Sequence, residues 1–296
     1  MHAASAAHTL TDMSERTVVV GVNLDRPNYA DAVMLSALLA RLTDSSLTLV
    51  SAFKPHRTTH DAMKAEHERA LQRAAERLAG TLEGLDVQRL VLSGNSAAEV
   101  LHELAGRTAT EVIVVASSRQ AAAGHVQLGT VTQRLLDGGA ARVAVAPLGF
   151  ATSERVLREI GVAYAPGTPE SDGALRYAAR VARRAGAALR VLSAYDPAEE
   201  LLVREHSHSE GELATHARWV LSSAGEQAPG ELKVTASLLQ GDPVEALAQA
   251  SAALDLLVMG SRGHEPLRVV LLGKTAGPLL HRAACALLVV PVGEHS

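Results

Sequence analysis

Gly260-Ser261-Arg262-Gly263, nine further residues, then Gly273-Lys274-Thr275 follow directly on an apolar run, Leu256 to Met259. The same order occurs earlier in the chain. Val112 to Val115 leads into Ala116-Ser117-Ser118-Arg119, again nine further residues, and Gly129-Thr130-Val131. Both ends of the frame share one offset, because 260 − 116 and 273 − 129 both equal 144. Gly21-Val22 matches Gly161-Val162 and Gly94-Asn95 matches Gly241-Asp242 at nearly that spacing. The chain is a duplication whose period is a whole domain, too long for a solenoid unit. Only the second copy keeps both leading glycines.

Working outward, Thr17 to Val22 is a short, continuous, β-branched run, the pattern of a strand buried on both faces. Leu47–Phe53, Val87–Leu92, Val112–Val115 and Val143–Ala146 complete the strands of the first half. Helical patterns fall between them at Ala30–Leu42, His60–Ala79, Ala97–Ala105 and Val131–Leu136. Glu66, Arg69, Arg73 and Glu76 are spaced for a solvated helix face. In the second half Ile160–Tyr164, Leu189–Tyr195, Val234–Leu239, Leu256–Met259 and Leu287–Val290 read as strands. Asp172–Ala185, Gly211–Ala224, Val244–Ala253 and Thr275–His281 read as helices. Strands alternating with helices predict a parallel sheet covered on both faces. We expect a disordered tail over 1–16, a first domain over 17–150 and a second over 154–293, joined near Phe150 to Glu154. In such sheets the ligand crevice lies beyond the carboxyl ends of the strands, where Ala163-Tyr164 and Gly260 would both emerge.

Composition narrows the function. The 296 residues carry a formal charge of −4 and only 2% aromatics, which disfavours both a nucleic-acid backbone binder and a stacking platform. Cys285 is the single cysteine, so no intrachain disulfide forms; it reads as a buried thiol in a reducing, cytoplasmic setting. The first sixteen residues lack a signal-peptide pattern, and no apolar run approaches the roughly 20 residues of a membrane span. His206, His208 and His216 read as solvated histidines rather than metal ligands. No G-x-S-x-G elbow, H-E-x-x-H or spaced Cys–His pair is present, and no catalytic residue is assigned. Gly273-Lys274-Thr275 is not a P-loop, because Arg268 stands where that motif needs its first glycine.

From Thr17 to Val292 both halves resemble the universal stress protein family. Its nucleotide-binding members carry G-x2-G-x9-G-[ST] after the fourth strand, which here reads Gly260, Gly263, Gly273 and Lys274, with Thr275 one place later. Gly241-Asp242-Pro243-Val244-Glu245-Ala246-Leu247 and Leu287-Leu288-Val289-Val290-Pro291 also resemble the family. The resemblance implies two doubly wound, Rossmann-like five-stranded parallel sheets of order 3-2-1-4-5. It also implies pairing of such domains through their last strands, here an intramolecular pseudo-dimer, with homodimerisation of the chain left open. As ligand it implies an adenine nucleotide, ATP with accompanying Mg²⁺. The residues matching the family's site are Ala194, Met259, Gly260, Arg262, Gly263, Gly273, Lys274 and Thr275. Two positions depart from the pattern. Asn23 and Ala163 stand where ATP-binding members have an aspartate, and Lys274 replaces a small hydroxyl residue that Thr130 keeps in the first half.

Glycines at 260 and 263 would let backbone N–H groups approach a phosphate without a Cβ in the way. Gly273 would open a helix whose amino end favours an anion, Lys274 would add charge and Thr275 a hydroxyl, and Arg262 and His264 would rim the pocket. The competing reading gives these glycines to a turn and to close helix packing. In the first half Arg119 is expected to fill the crevice. The sequence therefore predicts a non-catalytic, stress-response nucleotide-binding module with its site in the C-terminal half. A tandem scaffold without nucleotide and a slow ATP hydrolase are the alternatives.

Overall fold

The computed structural model describes residues 15–55, 59–137, 141–152, 156–195, 209–223, 232–264, 269–271 and 276–291. The first half supplies β1 (Thr17–Gly21), α1 (Tyr29–Thr43), β2 (Ser46–Phe53), α2 (His60–Arg77), α3 (Ala79–Leu82), β3 (Val87–Ser93), α4 (Ala97–Arg107), β4 (Thr110–Ala116), α5 (Thr130–Leu136) and β5 (Val143–Ala146). A 3-10 turn at Phe150–Thr152 leads to the second half. There follow β6 (Glu159–Ala163), α6 (Pro169–Ala185), β7 (Ala188–Tyr195), α7 (Glu210–Ser223), β8 (Val234–Gln240), α8 (Pro243–Ser251), β9 (Leu256–Gly260), β10 (Arg262–His264), β11 (Val269–Leu271), α9 (Ala276–Leu279) and β12 (Ala286–Val290).

Ten strands form one sheet in the order β3-β2-β1-β4-β5-β12-β9-β6-β7-β8, and β10 pairs with β11 apart from it. Each half has the expected order 3-2-1-4-5, the second read in the reverse direction. All pairings within a half of the large sheet are parallel. The exception is the seam, where β5 and β12 run antiparallel with Leu287 opposite Val145, Leu288 opposite Ala144 and Val289 opposite Val143. Equivalent strands meeting antiparallel relate the two domains as a pseudo-twofold pair.

The local reasons follow the repeat. Ser96 caps α4 by accepting from the Glu99 N–H, and Asp242 caps α8 by accepting from the Val244 and Glu245 N–H groups. α6 ends on Gly186 at φ 64°, whereas α1 ends on Asp44 at φ 48°, where a short polar side chain tolerates the left-handed conformation. Two departures from the sequence reading concern helix ends. The helix predicted over His60–Ala79 breaks at Leu78 into α2 and α3. α6 starts at Pro169, three residues before the predicted Asp172, because proline suits a first helical turn where its missing N–H costs nothing. The β10–β11 hairpin is an element that the sequence reading lacked. Cys285 is buried, as expected, and Glu66, Arg69, Arg73 and Glu76 are exposed.

The seam is more than backbone. Glu111 of β4, only 4% exposed, meets Arg142 beside β5 at 3.5 Å and Arg180 of α6, across the domain boundary, at 2.5 Å. Both guanidiniums lie over the Tyr177 ring, at 4.7 and 4.9 Å from its centre. A charged, stacked cluster therefore ties the first half to α6 of the second. Among the described residues no helix is long and apolar enough to cross a membrane.

Candidate functional site

The carboxyl ends of β6, β7 and β9 converge in the second half. Ala163 pairs with Met259 on one side and with Leu192 on the other, and Ala194 lies two residues beyond Leu192 on β7. Ala163, Ala194 and Met259 all pack on the sheet face that carries α8 and α9. The structure thus brings together two of the predicted site residues, Ala194 and Met259, with Ala163, where the aspartate is missing. Two alanines and a methionine make a small, apolar seat.

Gly260 points the other way. A Cβ built there would sit 2.6 Å from the Glu170 carbonyl oxygen and 2.9 Å from the Glu170 Cβ, at the start of α6. Close helix packing is therefore sufficient reason for this glycine, and the resemblance alone did not reveal it. Arg262 and Gly263 fall in β10, opposite Leu271 and Val270 of β11. Gly273, Lys274 and Thr275 lie outside the described residues, as do His206 and His208.

Between Gly260 and Arg262 stands Ser261, a residue that motif reasoning passed over. Its N–H donates to the Val290 carbonyl at 2.8 Å, just as Ser117, 144 residues earlier, donates to Ala146 at 2.9 Å. The hydroxyls differ. Ser117 Oγ donates to the Gln127 carbonyl and accepts from the Gln127 N–H at 2.8 Å. Ser261 Oγ is fully buried and finds no hydrogen-bond partner among the described residues. A shared serine at the repeat offset was the available signal.

The first-half crevice is closed from within. Ser118 N–H also bonds to the Gln127 carbonyl, and the buried Asn28 amide donates to the Ser117 carbonyl at 2.7 Å. Arg119, expected to fill this crevice, is instead exposed. A long cation avoids burial unless it is paired, and the loop is held instead by short polar side chains and backbone groups.

Acid–base chemistry has little to work with. Tyr164, leaving β6, is buried and its hydroxyl donates to Asp172 Oδ1 at 2.7 Å. Burial, reinforced by that bond to a carboxylate, raises the phenol pKa well above its ordinary value. Asp172 is thereby committed to Tyr164. Asp25, near the end of β1, is exposed. One oxygen of Glu170, Oε2, is buried and without a hydrogen-bond partner among the described residues. Among the described residues no group of three or more His, Cys, Asp or Glu could hold a metal.

Comparison with known proteins agrees with this geometry. Residues 157–291 match the family model described as the universal stress protein family. A universal stress protein from Archaeoglobus fulgidus DSM 4304 aligns over 94% of this chain and 98% of its own, at TM-score 0.70 and 16% identity. A protein described as a putative universal stress protein from Pseudomonas aeruginosa UCBPP-PA14 aligns over 94% of both chains, at TM-score 0.64 and 19% identity. A universal stress protein from Archaeoglobus fulgidus in complex with dAMP aligns over 44% of this chain and 97% of its own, at TM-score 0.37 and 18% identity. No curated protein matches the sequence significantly. Residues 157–291 thus match the universal stress protein family, the first half repeats the same strand order, and the fold of the chain is that of two such domains in tandem.

Proposed function

We propose that the C-terminal half binds one adenine nucleotide, ATP with its Mg²⁺, and that the protein acts as a nucleotide-responsive module without catalysing a reaction. One observation carries this reading. The same serine is satisfied by its own loop in the first half, and in the second it is buried with no hydroxyl partner among the described residues. An unsatisfied buried hydroxyl costs about 1–3 kcal/mol, and a ligand's polar group beside the glycine frame would remove that cost. Ala163, Ala194 and Met259 would receive the base on the α8 face. Arg262, Gly263, Gly273, Lys274 and Thr275 would receive the phosphates. No base is assigned, since Asp172 is held by Tyr164.

The test is direct. Purified protein is unfolded, extracted, and the extract resolved by chromatography, followed by calorimetric titration of the refilled or empty protein with Mg-ATP. The reading expects an adenine nucleotide in the extract, or saturable binding on titration. An empty extract together with no heat at millimolar Mg-ATP sinks it and leaves the tandem scaffold as the function.

A further inference from the structure

The ten-stranded sheet has two outer edges, β3 and β8. Leu47 N–H donates to the Asp86 carbonyl and Gly94 N–H donates to the Phe53 carbonyl, which fixes the ladder between β2 and β3. Gln88, Leu90 and Leu92 therefore turn their backbone groups inward to β2, and Val87, Arg89, Val91 and Ser93 turn theirs outward. Among the described residues none of these outward groups has a partner. On β8 the same construction places the Leu238 N–H at the outer edge, and there Glu210 of α7 accepts it at 3.1 Å. The second half blocks its own edge with a carboxylate, while the first half leaves the equivalent Val91 open.

That open edge forms the floor of a groove of about 480 Å³, walled by α2 on one side and α4 on the other. Lys64 in one wall is matched by Glu68, and Arg107 in the other by Glu103. Arg89, exposed on the floor, has no carboxylate of its own among the described residues. Val87 and Val91 pack toward the α2 face and Leu90 and Leu92 toward the α4 face, so Arg89 projects on the α2 side. Bare edges of this kind are ordinarily blunted by charge, proline or cover, and an uncovered one between two helices fits strand addition by an extended chain.

We propose that β3 takes an added strand from an acidic, extended segment of another protein, bound through the outward backbone groups of Val87, Arg89, Val91 and Ser93. Its carboxylates lie on the α2 side against Arg89, and its alternate, apolar side chains lie on the α4 side against Leu90 and Leu92. This surface lies at the outer edge of the first half, and the proposal does not depend on nucleotide binding.

The probe is a fluorescent seven-residue peptide of alternating valine and glutamate, blocked at both ends and titrated against the full chain by fluorescence polarisation. Saturable binding is expected, weakened about tenfold or more by Val91→Pro, which removes one outward N–H and leaves the β2 ladder intact. Arg89→Glu leaves the backbone unchanged; it should weaken this peptide by a similar factor and favour a valine–lysine peptide instead. Methylating alternate peptide nitrogens should abolish binding. Circular dichroism establishes that both variants fold. Absence of binding at millimolar protein, or equal binding of the methylated peptide, overturns the proposal. So does self-association of the unmodified chain in sedimentation that Val91→Pro removes, since a second copy would then be the occupant.

Discussion

Ser117 and Ser261 occupy the same place in two copies of one fold, and their surroundings differ in one respect that matters. In the first half Gln127 returns to close the loop on Ser117, and Asn28 holds the loop from the side of α1. In the second half the backbone is anchored to the last strand in the same way, but the hydroxyl has no partner among the described residues. If the second half binds nucleotide as proposed, a duplicated domain retires a site by satisfying its polar groups internally, with no need for a bulky plug. The exposed Arg119 makes the same point from the other side.

The largest effect should come from cutting the molecule at the line of comparison. Residues of β5 and β12 are almost wholly buried against each other, so halves expressed separately would each expose an apolar strand edge. Association or aggregation is expected; two halves that stay monomeric and soluble at high concentration would contradict the seam. Within the intact chain, Glu111→Ala removes the carboxylate shared by Arg142 and Arg180 in a mostly buried setting and should cost about 3–5 kcal/mol, the scale for breaking a buried ion pair. Urea unfolding reads that loss, and Arg184→Ala, which removes the exposed pair with Asp44, should lower stability by no more than about 1 kcal/mol in the same assay.

The outline of the fold was legible because buried parallel strands are continuous β-branched runs, and because every landmark recurred at a near-constant offset. Helix ends were less so, as at Leu78 and Pro169, where capping and first-turn geometry decide the boundary. Much of the site was not legible. The sequence leaves Gly260 open between a phosphate glycine and close helix packing, and only the position of the Glu170 backbone shows the packing that requires it. Val269-Val270-Leu271 is too short to announce a strand without its partner Arg262–His264. Tyr164 and Asp172 are eight residues apart, and nothing local marks them as a bonded pair.

Smaller effects sharpen the contrast between the loops. Gly260→Ala should cost about 1–3 kcal/mol by forcing α6 away from β9. Ser117→Ala should cost about 1 kcal/mol of stability, the value of a net hydrogen bond. Ser261→Ala should raise the stability of the empty protein by about 1–3 kcal/mol, the cost of an unsatisfied buried hydroxyl, while weakening ATP by about 0.5–1.5 kcal/mol. Thermal or urea unfolding of the matched pair checks the first difference and calorimetry the second. Equal stability losses at both serines would mean that their environments do not differ as described.

The central claim is that nucleotide occupies the second half alone. Calorimetric titration of the full chain with Mg-ATP, repeated on Ser261→Ala, tests it most directly, because it counts the sites and asks whether the second loop holds the ligand. One site per chain in the wild type, weakened in the folded variant, is the predicted result. Two sites per chain, or binding undiminished by Ser261→Ala, would contradict it.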